Sequence, residues 1–205
     1  MNLFLIGFSS FVIALSGALV PGPLFSITVA ESARRGAWAG PLIIIGHGIL
    51  ELTLIVLLIL GTTPFLSSPS ARAVISFTGG VVLLLMGYRL VRDARGARLL
   101  ISGGAKQRGI HPVFSGIIGS ISNPYWTIWW VTIGMGYLMS SLRFGLPGVA
   151  VFFTGHISAD LAWYSLISLA IAKGKEAMGD RGYRALLCSC GVFLLFFGAW
   201  FLKGI

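Results

Sequence analysis

Six long apolar runs separated by short polar segments set the plan of this 205-residue chain. They fall at roughly 3–30, 37–60, 73–92, 112–139, 145–172 and 184–202. Most exceed the ~20 residues that a helix needs to cross a bilayer. The pattern predicts an all-α membrane protein with six transmembrane helices. The first run does not read as a secretory signal peptide, because no basic residue precedes it, it runs too long, and no cleavage pattern interrupts it.

Two of the runs are broken from within. In Leu19-Val-Pro-Gly-Pro-Leu-Phe25, Pro21 and Pro23 have no N–H, so the carbonyls of Gly17 and Leu19 lose their helical donors. Gly22 between them adds a flexible joint. In Ser122-Asn123-Pro124, Pro124 does the same to the carbonyl of Ser120, and the Asn123 amide is placed to cap a freed carbonyl or to reach a ligand. Gly22 lies 12 residues before Arg34, and Asn123 lies 11 after Pro112. Both therefore sit about 17–18 Å from the cytoplasmic edge of a ~30 Å core, close to its middle. Freed carbonyls in hydrocarbon need partners, so a broken helix survives only against protein or a wet cavity. Paired breaks of this kind in two halves of a chain mark a transporter's binding site, with plain packing kinks as the alternative.

The halves are repeats. Gly46-His-Gly-Ile-Leu-Glu51 returns as Gly155-His-Ile-Ser-Ala-Asp160, 109 residues on, and Gly80-Val-Val-Leu-Leu-Leu-Met-Gly87 as Gly191-Val-Phe-Leu-Leu-Phe-Phe-Gly198, 111 residues on. The two breaks recur at about the same distance. Three spans per half is an odd number, so the second half must enter the membrane from the opposite side, as an inverted repeat. The predicted organisation is 1–98 and 112–205 as the two three-helix repeats, with broken helices 1 and 4, and 99–111 as a cytoplasmic linker. Small residues (Gly36 and Gly40, Ala39 and Gly46, Gly134 and Gly136) suit close helix contacts, a common and unspecific signal.

Composition agrees with the membrane class, at 56% hydrophobic and 10% charged residues. The net charge of +9 does not mark a nucleic-acid binder, because its distribution is topological. Segments 31–36, 93–111 and 173–184, with their flanks, carry all of the 15 Lys and Arg except Arg72, Arg143 and Lys203. By the positive-inside rule those segments are cytoplasmic and both termini lie outside, with anionic lipid contact as a by-product.

His47 and Glu51 are the only side chains between Ala37 and Leu60 that can carry charge, and His156 and Asp160 the only ones between Phe144 and Ala172. Each pair is i, i+4, on one face of its helix and near the bilayer centre. Carboxylates there are expensive, so such groups face the bundle interior and mark ion paths, proton relays or ligand sites. Burial favours the neutral acid and a neighbouring imidazolium the carboxylate, so Glu51 and Asp160 qualify as proton carriers. The bland alternative is that each His holds its own acid in helix register. The four residues also form a metal set of two imidazoles and two carboxylates suited to zinc-like ions, though without a thiolate nearby. Trp126, Trp129 and Trp130 share a face after the second break and could hold a substrate cation, or simply pack.

No phosphate-cradling loop, nucleophile elbow or CxxC is present, so neither an enzyme nor a cofactor is expected. Thr53 and Ser158 are the only nucleophile candidates beside the His residues. Cys188 and Cys190, two apart on one helix, point ~200° apart and cannot bridge, which argues against a membrane redox carrier.

On Pro21-Gly-Pro23, the glycines Gly36, Gly40 and Gly46, the Asn123-Pro124 of the fourth span and the six-span plan, the chain resembles the LysE/RhtB-type amino-acid exporter family along nearly its whole length. It departs in having Leu24 after Pro-Gly-Pro, where the family usually has Asn, and in pairing both His residues with acids. The resemblance implies a bacterial inner-membrane exporter of amino acids or related metabolites, driven by the proton motive force. It would work by alternating access, its repeats rocking around a midplane site. The breaks would offer backbone dipoles to a zwitterion, while Glu51 and Asp160 exchange protons and His47 and His156 tune them. A divalent-metal exporter is the alternative, and a homodimer is compatible with either. The charge distribution is open to a direct test. A cysteine introduced at Ser102 should resist an impermeant maleimide applied to intact cells, and one at Ser68 should react; the reverse pattern overturns the orientation.

Overall fold

A computed structural model describes residues 2–19, 22–61, 69–96 and 110–203; Pro21 and most of the 99–111 linker lie outside the described residues. Helix α1 (Leu3–Ala18) starts at Asn2, whose side chain accepts the Leu5 N–H at 2.9 Å. It stops ahead of the proline pair. Helix α2 (Pro23–Arg35) starts with proline at its first position, where no N–H is needed, and runs at 80° to α1. The first apolar run is thus two helices, and the second continues past the predicted boundary to Arg35. It ends at Gly36 with φ 87°, a backbone that glycine adopts freely.

Helices α3 (Ala39–Ile59) and α4 (Pro69–Ala94) follow, and α5 (Pro112–Ile121) is capped by His111. After the second break come α6 (Pro124–Trp129), a π-turn (Trp130–Gly134) and α7 (Met135–Leu142). This break corrects the sequence expectation. The Ser120 carbonyl is not left free, because the Asn123 N–H reaches it at 3.0 Å. Nor does the Asn123 side chain cap a carbonyl: it accepts the Tyr125 N–H at 3.1 Å and so starts α6. The fifth and sixth runs lie in the helical stretch α8 (Gly145–Lys203), which is two helices meeting at a kink at Gly179 (φ 62°, ψ 175°), its first and second arms. The polar stretch between them is mostly helical rather than loop.

Among the described residues two helices are long and apolar enough to cross a membrane, Ala39–Ile59 and Gly179–Trp200, and the bent α1–α2 pair, taken as one span, makes a third. The fourth run is cut by its break into shorter pieces. No strand occurs among the described residues. The outer face of α3 carries half-exposed Ile45, Ile49, Leu52 and Val56, while its opposite face buries Ile44, His47, Glu51 and Ile55. The apolar-outside, polar-inside pattern is that of a helix bundle solvated by lipid.

Backbones touch where side chains are missing. A Cβ added at Gly46 would lie 1.9 Å from the Val113 carbonyl oxygen, and one at Gly116 would lie 2.0 Å from that of Ile43. These contacts press α3 against α5. On the other side Gly155 meets the Gly7 carbonyl (2.4 Å from an added Cβ), and Ser10 Oγ donates to the Phe152 carbonyl at 2.8 Å, pressing α1 against α8. Helix α4 crosses the second arm of α8 antiparallel, Gly80 against Gly198 and Gly87 against Gly191.

Two of the three apolar clusters among the described residues flank the His–acid pairs. One contains Leu24, Ile27, Ile43, Ile44 and Tyr164, and the other Ile6, Ile55, Trp130 and Phe152. Along both α3 and α8, the His–acid positions fall between them. Gly46→Ala should cost on the order of 1–3 kcal/mol through forced separation of α3 and α5. Gly174→Ala, where an added Cβ meets nothing within 4 Å, should leave thermal unfolding in detergent unchanged.

Candidate functional site

The i, i+4 pairs meet. His47, Glu51, His156 and Asp160 each offer one donor atom within 4.8 Å of all the others, and all four residues are buried. His47 Nε2 stands 3.3 Å from Glu51 Oε1 and 3.6 Å from Asp160 Oδ2. His156 Nε2 stands 3.0 Å from Glu51 Oε2 and 3.3 Å from Asp160 Oδ2. Each imidazole therefore faces its own helix's acid and the other helix's acid at once, a square that neither pair could form alone.

The surroundings of the two pairs differ. Trp126 and Trp130 both donate their indole N–H to Glu51 Oε1, at 3.0 and 2.9 Å. Such bonds to a buried carboxylate hold it in place and partly offset its lost hydration. The Ser120 hydroxyl donates to the Gly116 carbonyl at 2.7 Å, so it accepts from His47 Nδ1–H, also at 2.7 Å, and the inner nitrogen of His47 faces the acids. The second pair lacks these supports: among the described residues His156 Nδ1 and Asp160 Oδ2 have no hydrogen-bond partner. The Trp129 ring lies against His156, with centroids 4.6 Å apart.

Above the four residues is a cavity of about 240 Å³. Its walls come from Ala14, Ser16, Gly17 and Ala18 at the end of α1, from Leu24, from Asn123, Tyr125, Trp126, Trp129 and Ile133, and from Tyr164. Most predicted site residues are therefore gathered here. Gly22 and Pro23 are buried behind Leu24 and do not border the cavity, and Trp130 reaches the site only through its indole. The three tryptophans share a face, as their spacing requires, but Trp126 and Trp130 present N–H groups to an anion rather than ring faces to a cation. The π-turn that begins at Trp130 sets these rings, in a helical irregularity frequent at functional sites.

Ser120 and Tyr164 escaped the sequence reading. Tyr164 continues the face of His156 and Asp160 at i+4, a signal present in the sequence. Ser120 had no such signal, because it matters only once α5 lies against α3. Thr53 and Ser158 each bond a carbonyl of their own helix on the exposed side, away from the imidazoles, and no activated nucleophile results. Cys188 and Cys190 are free thiols.

Breaks, buried His–acid square and cavity occupy one chain whose residues 15–204 match the model of the LysE type translocator family. The chain belongs to that family. No match was found among curated proteins or among solved structures. The translocator is accordingly a multi-pass membrane transporter of small molecules, not an enzyme, and the lipid bilayer is its solvent. In such a protein a buried, cross-linked His–acid square beside a cavity is the only such grouping of four among its described His, Cys, Asp and Glu residues. Trp130→Phe should remove one donor from the buried Glu51 carboxylate and cost about 1.5–3 kcal/mol in detergent unfolding, with Trp126→Phe adding less than its own single-variant effect because both act on one oxygen.

Proposed function

We propose that the translocator exports amino acids or related small metabolites across a prokaryotic inner membrane in exchange for protons, by rocking two inverted three-helix repeats around the His–acid square. The observation that carries this reading is the square itself, in which equivalent pairs from the two halves converge on one cavity. Six contacts, in three related pairs, support the inverted repeat. Gly46 against Val113 corresponds to Gly155 against Gly7, and Ile43 against Gly116 corresponds to Phe152 against Ser10, with offsets of 109 and 106. Gly80 against Gly198 and Gly87 against Gly191 are likewise each other's image at the offset of 111.

An amino acid finds opposite partners at its two ends. The carboxylates of Glu51 and Asp160 suit its ammonium group, and the N-terminus of α2, reaching the cavity at Leu24, suits its carboxylate. Leu24, which borders the cavity, and Ile27 pack against Gly119, where an added Cβ would meet Ile27 at 2.7 Å.

Of the two acids, Asp160 is the one placed to trade its proton. Both residues border the cavity, but Glu51 Oε1 is held by two indoles, whereas Asp160 has no such indole contact. By the offset of 106, Ala14 stands where Ser120 stands in the other half, which leaves His156 without the anchor His47 has. Asp160→Asn, reconstituted in vesicles loaded with a labelled amino acid, should lose at least about tenfold in export driven by a proton gradient. It should keep gradient-free exchange. Unchanged gradient-driven export would overturn the role of Asp160, and failure of the wild type to move any amino acid in a panel would overturn the exporter reading.

A further inference from the structure

We infer that the four-residue square is a binding site for one divalent transition-metal ion of the zinc class. An ion held there would occupy the acids that otherwise exchange protons, so metal binding and proton exchange are alternative states of one site. Zinc bonds to imidazole nitrogen and carboxylate oxygen are about 2.0–2.1 Å, so neighbouring ligand atoms around a tetrahedral ion stand about 3.3 Å apart. With Glu51 Oε1 as its ligand atom, the four nitrogen–oxygen distances are 3.3, 3.3, 3.3 and 3.6 Å, and all four ligand atoms lie within 4.8 Å of one another. Direct charge-assisted hydrogen bonds are shorter, about 2.7–2.9 Å. The donor atoms thus surround a centre more than they clasp each other.

Three further observations point to an ion at that centre. Asp160 Oδ2 is a buried oxygen without a well-aligned hydrogen-bond donor, its nearest neighbours being the two imidazole nitrogens at 3.3 and 3.6 Å, and it is stabilised when a cation meets it. His47 donates its outer N–H to Ser120, the arrangement that fixes the tautomer of a metal-binding histidine and turns its other nitrogen inward. The indoles of Trp126 and Trp130 fix the Glu51 carboxylate in the same supporting manner. Charge agrees as well. Two carboxylates with neutral imidazoles carry two negative charges, which one divalent ion balances. The set contains two nitrogens and only four ligands, which fits zinc, cobalt or nickel and disfavours calcium and magnesium, ions that prefer six or more oxygens.

The test uses the purified full chain in detergent, with any affinity tag removed, His111 changed to Gln and both cysteines to Ser so that other imidazole and thiol donors are absent. Zn²⁺ should bind one per chain in competition with a chromophoric chelator. Binding should release about two protons per ion into a weak buffer. Co²⁺ should give the intense visible bands of a tetrahedral complex, which Zn²⁺ abolishes. Ser120→Ala should weaken binding about tenfold, and His156→Ala or Asp160→Asn by more than the ~10–100-fold typical of an outer partner. Circular dichroism and elution volume check folding, and the near-isosteric Asp160→Asn serves if His156→Ala does not fold. Absent one-to-one binding, wild-type affinity in both ligand variants, or equal binding of Mg²⁺ would overturn the inference. Because binding is read without gradient or metabolite, intact binding with no amino-acid export defeats only the exporter reading. Intact export with no binding defeats only the metal site.

Discussion

Two carboxylates inside a lipid-solvated bundle have to be offset where they stand, since water cannot reach round to do it. That constraint orders much of this molecule. Glu51 and Asp160 are placed on facing helices so that both imidazoles touch both acids. Bringing them so close requires α3 to lie against α8, and Gly40 allows it, since an added Cβ there would stand 2.4 Å from the Tyr164 carbonyl oxygen. Gly46 and Gly116 press α3 against α5 and Gly155 presses α8 against α1, again where no side chain fits. The glycine contacts and the polar square are therefore parts of one arrangement.

The helix breaks serve the same end in a way that differs from the simplest expectation. A broken helix in lipid suggests free carbonyls offered to a substrate. At Asn123 the local backbone closes on itself instead, with Asn123 N–H on the Ser120 carbonyl and the Asn123 side chain on the Tyr125 N–H. What the break provides is direction. It redirects the chain so that α6 and the π-turn deliver two indole N–H groups to Glu51. At the first break the 80° turn sets the end of α1 and the start of α2 on two sides of the cavity.

Near-equivalent halves with unequal supporting groups make a useful device. Where one half anchors its histidine with Ser120 and its acid with two tryptophans, the other has Ala14 and an oxygen without a donor. A fully anchored square would bind its occupant and keep it. One rigid pair and one less constrained pair allow an occupant to be held in a defined place and exchanged from the cavity side, as a transporter requires.

The sequence by itself determined the helical membrane class, the two breaks, the i, i+4 placement of both His–acid pairs and, through the Pro-Gly-Pro and Asn-Pro elements, the family. These are legible because hydrophobic run length, missing N–H groups and spacing along one helix are local properties. Even there the local signal misplaced a boundary: residues near 173–178 are polar enough to read as a loop, yet they continue α8 to Gly179. Tertiary structure decided that the two pairs form one square, that Ser120 serves His47, that the tryptophans present N–H groups and not ring faces, and that Thr53 and Ser158 look outward. Each of these depends on the rotation of one helix against another, and that rotation is set by a few glycine contacts between residues as far apart as Gly7 and Gly155. Spacing along a single helix carries no record of which face its neighbour will press.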